Sequence, residues 1–308
     1  MALNVYRLSI LIFVIHIPLV SSSGDWSYTG ENGPNHWGSL CRSGSQQSPI
    51  NIDIGKSKHD QELGQFIFSP DYFNYTFKYN LSNNGHSVML TPDSSAQLTV
   101  SGGGLPGTYR LAQFHFHWGG PSSAGSEHTL NNKQYQAEVH LVHYNLNYDN
   151  IGSAATSKDG LAVIGVFLEA GKSVGNVVIE KIANRLSNSC ATVLSSNCTI
   201  DNMRLIDILP FNHDNYFRYQ GSLTTPPCSE SVVWTVFQKP ISVTKEQLQS
   251  FFRIQDSHSH ELHNNFRPVQ KYKKPVTKSF SSEGSRHVLT ISVLAFSSLV
   301  ALYSAKLF

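Results

Sequence analysis

Charge is what this chain has least of. Only 14% of its 308 residues are Asp, Glu, Lys or Arg, and the formal net charge is +2. The lysines and arginines are scattered, so the clustered basic surface of a nucleic-acid binder is missing and no nucleic-acid partner is expected. With 40% hydrophobic residues, the composition also excludes a disordered chain and provides for one sizeable buried core. Nothing repeats internally, and no low-complexity linker interrupts the chain before Lys271. A helical His-Glu-x-x-His is absent, which removes the usual signature of a zinc hydrolase. The four cysteines lack the paired spacing of a structural zinc knot, which leaves disulfides as their better use.

What is present begins with two apolar ends. Arg7, then Leu8 to Val20, then Ser21-Ser22-Ser23 read as a secretory signal over residues 1–23, with the mature chain starting near Gly24. The apolar run is too short to span a bilayer comfortably, which weighs against a retained membrane helix. A second apolar run, Val288 to Phe308, follows the small residues Ser279, Ser281, Ser282, Gly284 and Ser285. Residues 279–308 therefore have the layout of a glycosylphosphatidylinositol (GPI) attachment signal, with Ser282 the first choice of site. The alternative is a permanent transmembrane helix, for which only Lys306 offers a basic flank. The expected location is the extracellular face of the plasma membrane.

Four cysteines in an oxidising compartment permit two disulfides. Cys190 with Cys198 would close a small local loop and Cys41 with Cys228 a loop of nearly the whole domain, but all three pairings stay open. Asn74, Asn80 and Asn197 begin glycosylation sequons, Asn197 being the least favourable because a cysteine follows it.

Residues 24–278 read as a single, mainly β domain. Alternating apolar and β-branched or aromatic runs recur at Phe73 to Tyr79, Ser87 to Thr91, Leu111 to Trp118, Gln134 to Tyr144, Ala162 to Leu168 and Val232 to Phe237. Helical patterns are confined to Val177 to Leu186 and Thr244 to Phe252, so a large sheet with helices at its margins is expected.

Alternation makes one segment informative. In Gln113-Phe114-His115-Phe116-His117-Trp118, residues two apart share a face, so His115 and His117 project together with Gln113 while the aromatics point to the core. In Glu138-Val139-His140-Leu141-Val142-His143, only one histidine can join that pair. His140 shares its face with an acidic residue and a valine, which suits a third ligand, whereas His143 is expected to hydrogen-bond within the core. Three neutral imidazoles leave a fourth zinc position open, the arrangement of a catalytic site.

These residues resemble the α-class carbonic anhydrases, and the likeness covers nearly the whole mature chain. It runs through Trp26-Ser27-Tyr28, Gly33 to Trp37, Gln47-Ser48-Pro49-Ile50 and Asn83-Asn84-Gly85-His86. It continues through Gln113 to Gly119, Gly125 to His128, Ala137 to His143 and Gly160 to Leu168. It closes at Gly221 to Pro227 and Asn265-Phe266-Arg267-Pro268. The resemblance implies a large twisted, mostly antiparallel sheet with one Zn2+ per chain, bound by His115, His117 and His140. It implies Gln113, Glu138 and the Asn265 backbone as partners of those ligands, Thr224 as a gatekeeping hydroxyl and Glu127 as the carboxylate behind it. His86 matches the proton shuttle, and Val142, Val163, Leu223, Val232 and Trp234, with Thr225, match the carbon dioxide pocket. Within the family the chain looks most like the membrane-anchored extracellular branch (isoforms IV and XV), which shares the Cys41–Cys228 pairing. Two departures stand out: Met89 lies beside the shuttle where soluble forms carry a polar residue, and Cys190 and Cys198 are extra.

The chemistry this implies is the reversible hydration of carbon dioxide to bicarbonate and a proton by a zinc-bound hydroxide. Zinc lowers the pKa of its water from 15.7 to about 7, so hydroxide forms without strong base. Thr224 would accept the proton of that hydroxide if its own proton goes to Glu127. His86 titrates near neutrality and can carry the proton away, with Asn84 and Tyr28 ordering the intervening water. The partners are carbon dioxide, water, bicarbonate and a membrane reached through the lipid anchor, and the chain is expected to be a monomer. His258, His260 and His263 read as a solvated polar segment rather than a second metal site. The rival within the family is a binding module without catalysis, but such relatives lose a zinc histidine and this chain keeps all three.

Overall fold

The computed structural model of the chain describes residues 26–280, apart from 75, 76, 172 and 195. The expected signal segment and the apolar tail with Ser282 lie outside the described residues.

Strands of β-branched and aromatic residues build one 13-stranded sheet. Ten of them form its main path: β1 (Lys58–His59), β2 (Tyr79–Asn83), β3 (Val88–Pro92), β4 (Tyr109–Trp118), β5 (Ala137–Asn145), β6 (Leu161–Ala170), β7 (Asn197–Ile200), β8 (Tyr216–Gly221), β9 (Val232–Phe237) and β10 (Thr277–Lys278). Their order across the sheet is β7-β2-β3-β4-β5-β6-β9-β8-β10-β1. Most pairs are antiparallel, and β6 with β9 and β10 with β1 are parallel. Asn51–Ile52, Thr129–Leu130 and Lys133–Gln134 make a separate three-stranded sheet. The expected mainly β fold is what the chain adopts.

Each face of the large sheet buries its own apolar set. On one, Phe114, Phe116 and Trp118 pack with Val139, Leu141, Ile164 and Val166. On the other, Val142 packs with Val163, Phe167, Val232, Trp234 and Val236. Complete burial of such side chains stabilises by about 1.5–3 kcal/mol each before entropy is counted. In β4 the core residues change parity, from Tyr109 and Leu111 to Phe114, Phe116 and Trp118. A register shift opposite Val142 and His143 absorbs one residue of β4 and makes this change.

The helices lie at the margins. Helix α1 (Val177–Ser187) is capped by Asn176, whose side chain accepts from Val178 N and Ile179 N, and it buries Val178, Ile179, Ile182 and Leu186 against the first core. Thr244 caps α2 (Lys245–Gln249) in a reciprocal box with Gln247, and a 3-10 turn over Ser250–Arg253 continues it. The helix expected over 244–252 is thus two shorter pieces. The strand expected from Phe73 is displaced as well. Pro70, with its fixed φ, starts a 3-10 turn over Pro70–Phe73, and β2 begins only at Tyr79.

Both disulfides form as Cys41–Cys228 and Cys190–Cys198. Ser279 and Phe280, grouped with the tail in the sequence reading, are tied to the sheet. Ser279 N donates to Tyr216 O (3.1 Å), and Phe280 packs on Phe217 with ring centroids 5.6 Å apart. Among the described residues no helix is long and apolar enough to cross a membrane.

Candidate metal centre

Strand pairing, not sequence proximity, assembles three imidazoles. The register of β4 with β5 sets His140 opposite His115 and Glu138 opposite His117. Ring centroids stand 5.0 Å apart for His115 and His117, 5.4 Å for His115 and His140, and 4.6 Å for His117 and His140. One ligand nitrogen from each lies within 4.8 Å of the others. Each ring has a second nitrogen already engaged. His115 Nδ1 is 2.9 Å from Gln113 Oε1, His117 Nδ1 is 2.7 Å from the Asn265 carbonyl oxygen, and His140 Nε2 is 2.8 Å from Glu138 Oε1. All three acceptors hold an N–H on the outer nitrogen and leave the inner lone pair for a ligand bond. His143, as expected, faces the core, with Nε2 2.5 Å from the Tyr72 hydroxyl and Nδ1 3.2 Å from Ala162 O.

Electrostatics favours the neutral form of His115 and His117. Burial, then repulsion from His117 and His140, holds the His115 imidazole well below its ordinary pKa. Burial also lowers His117, against the pull of Glu127. Burial alone would raise Glu138, but His128 and His140 hold it well below the usual carboxylate range. Glu138 Oε1 takes His128 Nδ1 at 2.7 Å as well as His140, and Oε2 accepts from His128 N at 2.8 Å. His128, Glu138 and His140 are thus close enough to suggest a second metal group, but these contacts are hydrogen bonds.

The residues fit zinc. His117 Nε2 is buried with no hydrogen-bond partner among the described residues. A buried lone pair left unused is costly, and ligation uses it. Three imidazole nitrogens without a thiolate are the donor set that suits a catalytic zinc ion.

Comparison with known proteins identifies the family. The profile of the eukaryotic-type carbonic anhydrases matches residues 32–280. The chain belongs to the carbonic anhydrase family. It is 39% identical to human carbonic anhydrase 7 over 264 residues, covering 82% of this chain and 96% of the relative. Mouse carbonic anhydrase 7 is 38% identical over the same span. A Caenorhabditis elegans protein, named provisionally as carbonic anhydrase 3, is 40% identical over 253 residues, or 80% of this chain and 94% of its own length. The chain is an enzyme of this family, whose reaction is carbon dioxide hydration.

Glu127 and Trp234 stand closest to the ligand imidazoles among the remaining predicted residues for which a contact is seen. Glu127 is buried, with Oε2 3.5 Å from His117 Nε2 and 3.8 Å from His140 Nδ1. Sequence reasoning placed the Thr224 proton on Glu127, but the structure shows another contact. Oε1 accepts from Arg267 N at 2.8 Å, and Oε2 has no hydrogen-bond partner among the described residues. Arg267 comes so close because its guanidinium is fixed to Gln47 Oε1, Ser48 O and Cys41 O at 2.9, 2.7 and 2.6 Å. Thr224 is buried in the loop between β8 and β9, which Cys228 ties to Cys41. Val142 pairs with Val163 and Val163 with Trp234, while Leu223 packs on the same cluster as Val232. Trp234 also meets the edge of His140, with centroids 4.8 Å apart. Thr225 is half-buried next to Thr224. Met89 pairs with His115 across β3 and β4.

His86 is carried on the turn that leads into β3. Its ring stacks on Trp26 with centroids 3.7 Å apart and planes 11° apart. Asn84, expected to order water, accepts from His86 N and Ser87 N at 3.0 and 2.8 Å and so shapes the turn that carries His86. The phenol of Tyr28 is held well above its ordinary range by burial and by Glu127. Asn265 joins these parts: Oδ1 accepts from Trp118 N (2.7 Å), and Nδ2 donates to His86 O (3.0 Å) and Phe116 O (3.1 Å).

Sequence reasoning missed the buried path behind Glu138. His128 Nε2 is 2.6 Å from the Tyr219 hydroxyl, which donates to Ser48 Oγ at 2.9 Å. Ser48, His128 and Arg267 all lie in segments that carry the family likeness, and that was the only signal available. Two surface grooves, of about 960 and 700 Å3, are not walled by any of the three ligand imidazoles.

Proposed function

We propose that the chain hydrates carbon dioxide reversibly to bicarbonate at the outer face of the cell membrane, with His86 exporting the proton. The observation that carries this reading is the trio of inward-facing ring nitrogens, each backed by a hydrogen bond on the opposite nitrogen. A zinc ion held by His115, His117 and His140 would supply the Lewis acidity that ionises water near neutral pH.

The protein's own groups do the rest. Gln113, Glu138 and the Asn265 carbonyl fix tautomer and ring orientation, so the donor set needs no rearrangement. Glu127 has two oxygens, and its Arg267 contact occupies only one. Oε2 is the acceptor we assign to the Thr224 hydroxyl proton, which would leave Thr224 oxygen as an acceptor facing the reacting water. Val142, Val163, Leu223, Val232 and Trp234, with Thr225 at the rim, offer an apolar substrate a wall beside the ligands without binding its oxygens. The His86 imidazole takes the proton outward.

The lipid anchor at Ser282 would tether the domain closely, because Phe280 is already packed on the sheet. Asn80 and Asn197 are exposed on the paired strands β2 and β7, where glycans have room, and Asn74 is half-buried beside the turn before β2. The ordering of Cys190–Cys198 and Cys41–Cys228 suits secretion. Kinship to the isoform IV and XV branch and a monomeric state belong to the same reading. Purified protein should contain one zinc and accelerate carbon dioxide hydration, and a phosphatidylinositol-specific phospholipase should release it from cells. Zinc-loaded, folded protein without activity would defeat the reaction, and complete resistance to the phospholipase would defeat the anchor.

A further inference from the structure

One segment plays no part in the site described so far, yet stands at its outer edge. A cavity of about 280 Å3 is walled by Tyr28 and His86 and by residues 256–264, which contribute Asp256, His258, His260, Glu261 and His263. The segment is firmly built. Asp256 N donates to His260 O (2.8 Å), Leu262 N to Ile254 O (2.7 Å), and Trp118 Nε1 to Leu262 O (2.9 Å). Asp256 Oδ1 accepts from His258 N (2.8 Å) and His260 N (2.9 Å), so the two histidines are presented together. Their rings stack with centroids 6.3 Å apart. His263 Nε2 is 3.1 Å from Glu261 Oε2, and His260 Nδ1 is 3.8 Å from Asp256 Oδ2. Among the described residues, none of the three belongs to a group close enough to hold a metal.

We infer that His258, His260 and His263 form a second proton-accepting stage, which takes protons from His86 and passes them to buffer at the protein surface. The inference rests on His86 being the proton carrier. Imidazole is the side chain that both accepts and releases a proton near neutrality. Because the rim imidazoles share one cavity wall with His86, proton transfer between them is intramolecular and does not wait for a buffer molecule to diffuse in. Asp256 and Glu261 supply the counter-charge a protonated ring needs. Protonated His86 gives one ring proton to the lone pair of a neutral rim imidazole, across water that a cavity of this size admits. The rim ring then yields that proton to a buffer base, so one proton and no electron moves per turnover. Tyr28 faces the same cavity but stays protonated, because burial and Glu127 raise its phenol.

The test compares zinc-loaded parent, His86→Ala and His258→Gln/His260→Gln/His263→Gln. The triple variant should lose kcat several-fold in weak buffer, keep its kcat/KM and zinc content, and recover fully in concentrated imidazole. Combined with His86→Ala it should add no further loss, because the first stage is already gone. The pair His258→Gln/His260→Gln, at exposed positions, should show part of the loss and guards against a folding defect at His263. A triple variant as fast as the parent in weak buffer, beside a slow His86→Ala, overturns the second stage and leaves the His86 assignment standing. Equal weak-buffer rates for parent and His86→Ala overturn that assignment and this inference with it. A loss that persists in concentrated imidazole, or that adds to the His86→Ala loss, also overturns it.

Discussion

Glu138 answers two ring nitrogens through one oxygen, His128 at 2.7 Å and His140 at 2.8 Å. An amide in its place would remove the anionic acceptor for both. Glu138→Gln should therefore weaken zinc binding by about 10–100-fold, read by competition with a chelator, and unchanged affinity would count against the orienting role. His143 gives a second residue-scale prediction. Burial lowers its pKa from 6.5 to about 4. The unfolded chain thus binds that proton at higher pH than the native state does. The stability linked to His143 is complete above pH 6.5 and erodes as pH falls to about 4, a loss of about 3 kcal/mol. Denaturant titrations from pH 7 to 4 should show a shallower decline in His143→Gln than in the parent. Equal slopes would contradict the assignment.

At the scale of elements, close approach between strands decides what fits. A Cβ at Gly165 of β6 would stand 2.8 Å from Glu138 Oε1. Gly165→Ala should displace that carboxylate and lower zinc affinity, whereas Gly38→Ala, with nothing within 4 Å, should leave it unchanged. Equal affinities in the two variants would refute the argument. The same scale explains what could be read without coordinates. Period-two alternation shows His115, His117 and Gln113 on one face and separates His140 from His143, because those relations are local. The Asn265 carbonyl meets His117 from 148 positions away, so only family likeness pointed to it. Tyr219 joins His128 across 91 positions, and no local pattern marks that contact. The residue absorbed in β4 and the 3-10 turn that displaced the Phe73 strand were also hidden, because pairing register and a proline-led turn override alternation.

For the whole molecule, the two disulfides differ in reach. Cys41–Cys228 spans 187 positions and ties the Thr224 loop to the N-terminal segment, whereas Cys190–Cys198 spans 8. On chain entropy they contribute about 5 and about 2.5 kcal/mol. Paired Cys→Ala variants should lose stability to denaturant in that order, and a reversed order would contradict it. The separation of tasks is equally global. One face of the sheet carries the larger core, while the other carries the ligands and the apolar wall beside them. Everything functional depends on that second face closing on a metal. Zinc X-ray absorption on the purified protein tests this most directly. The account predicts one zinc with three imidazole nitrogens at about 2.0–2.1 Å and no sulfur neighbour. Sulfur scattering, or a spectrum unchanged by His117→Ala, would contradict it.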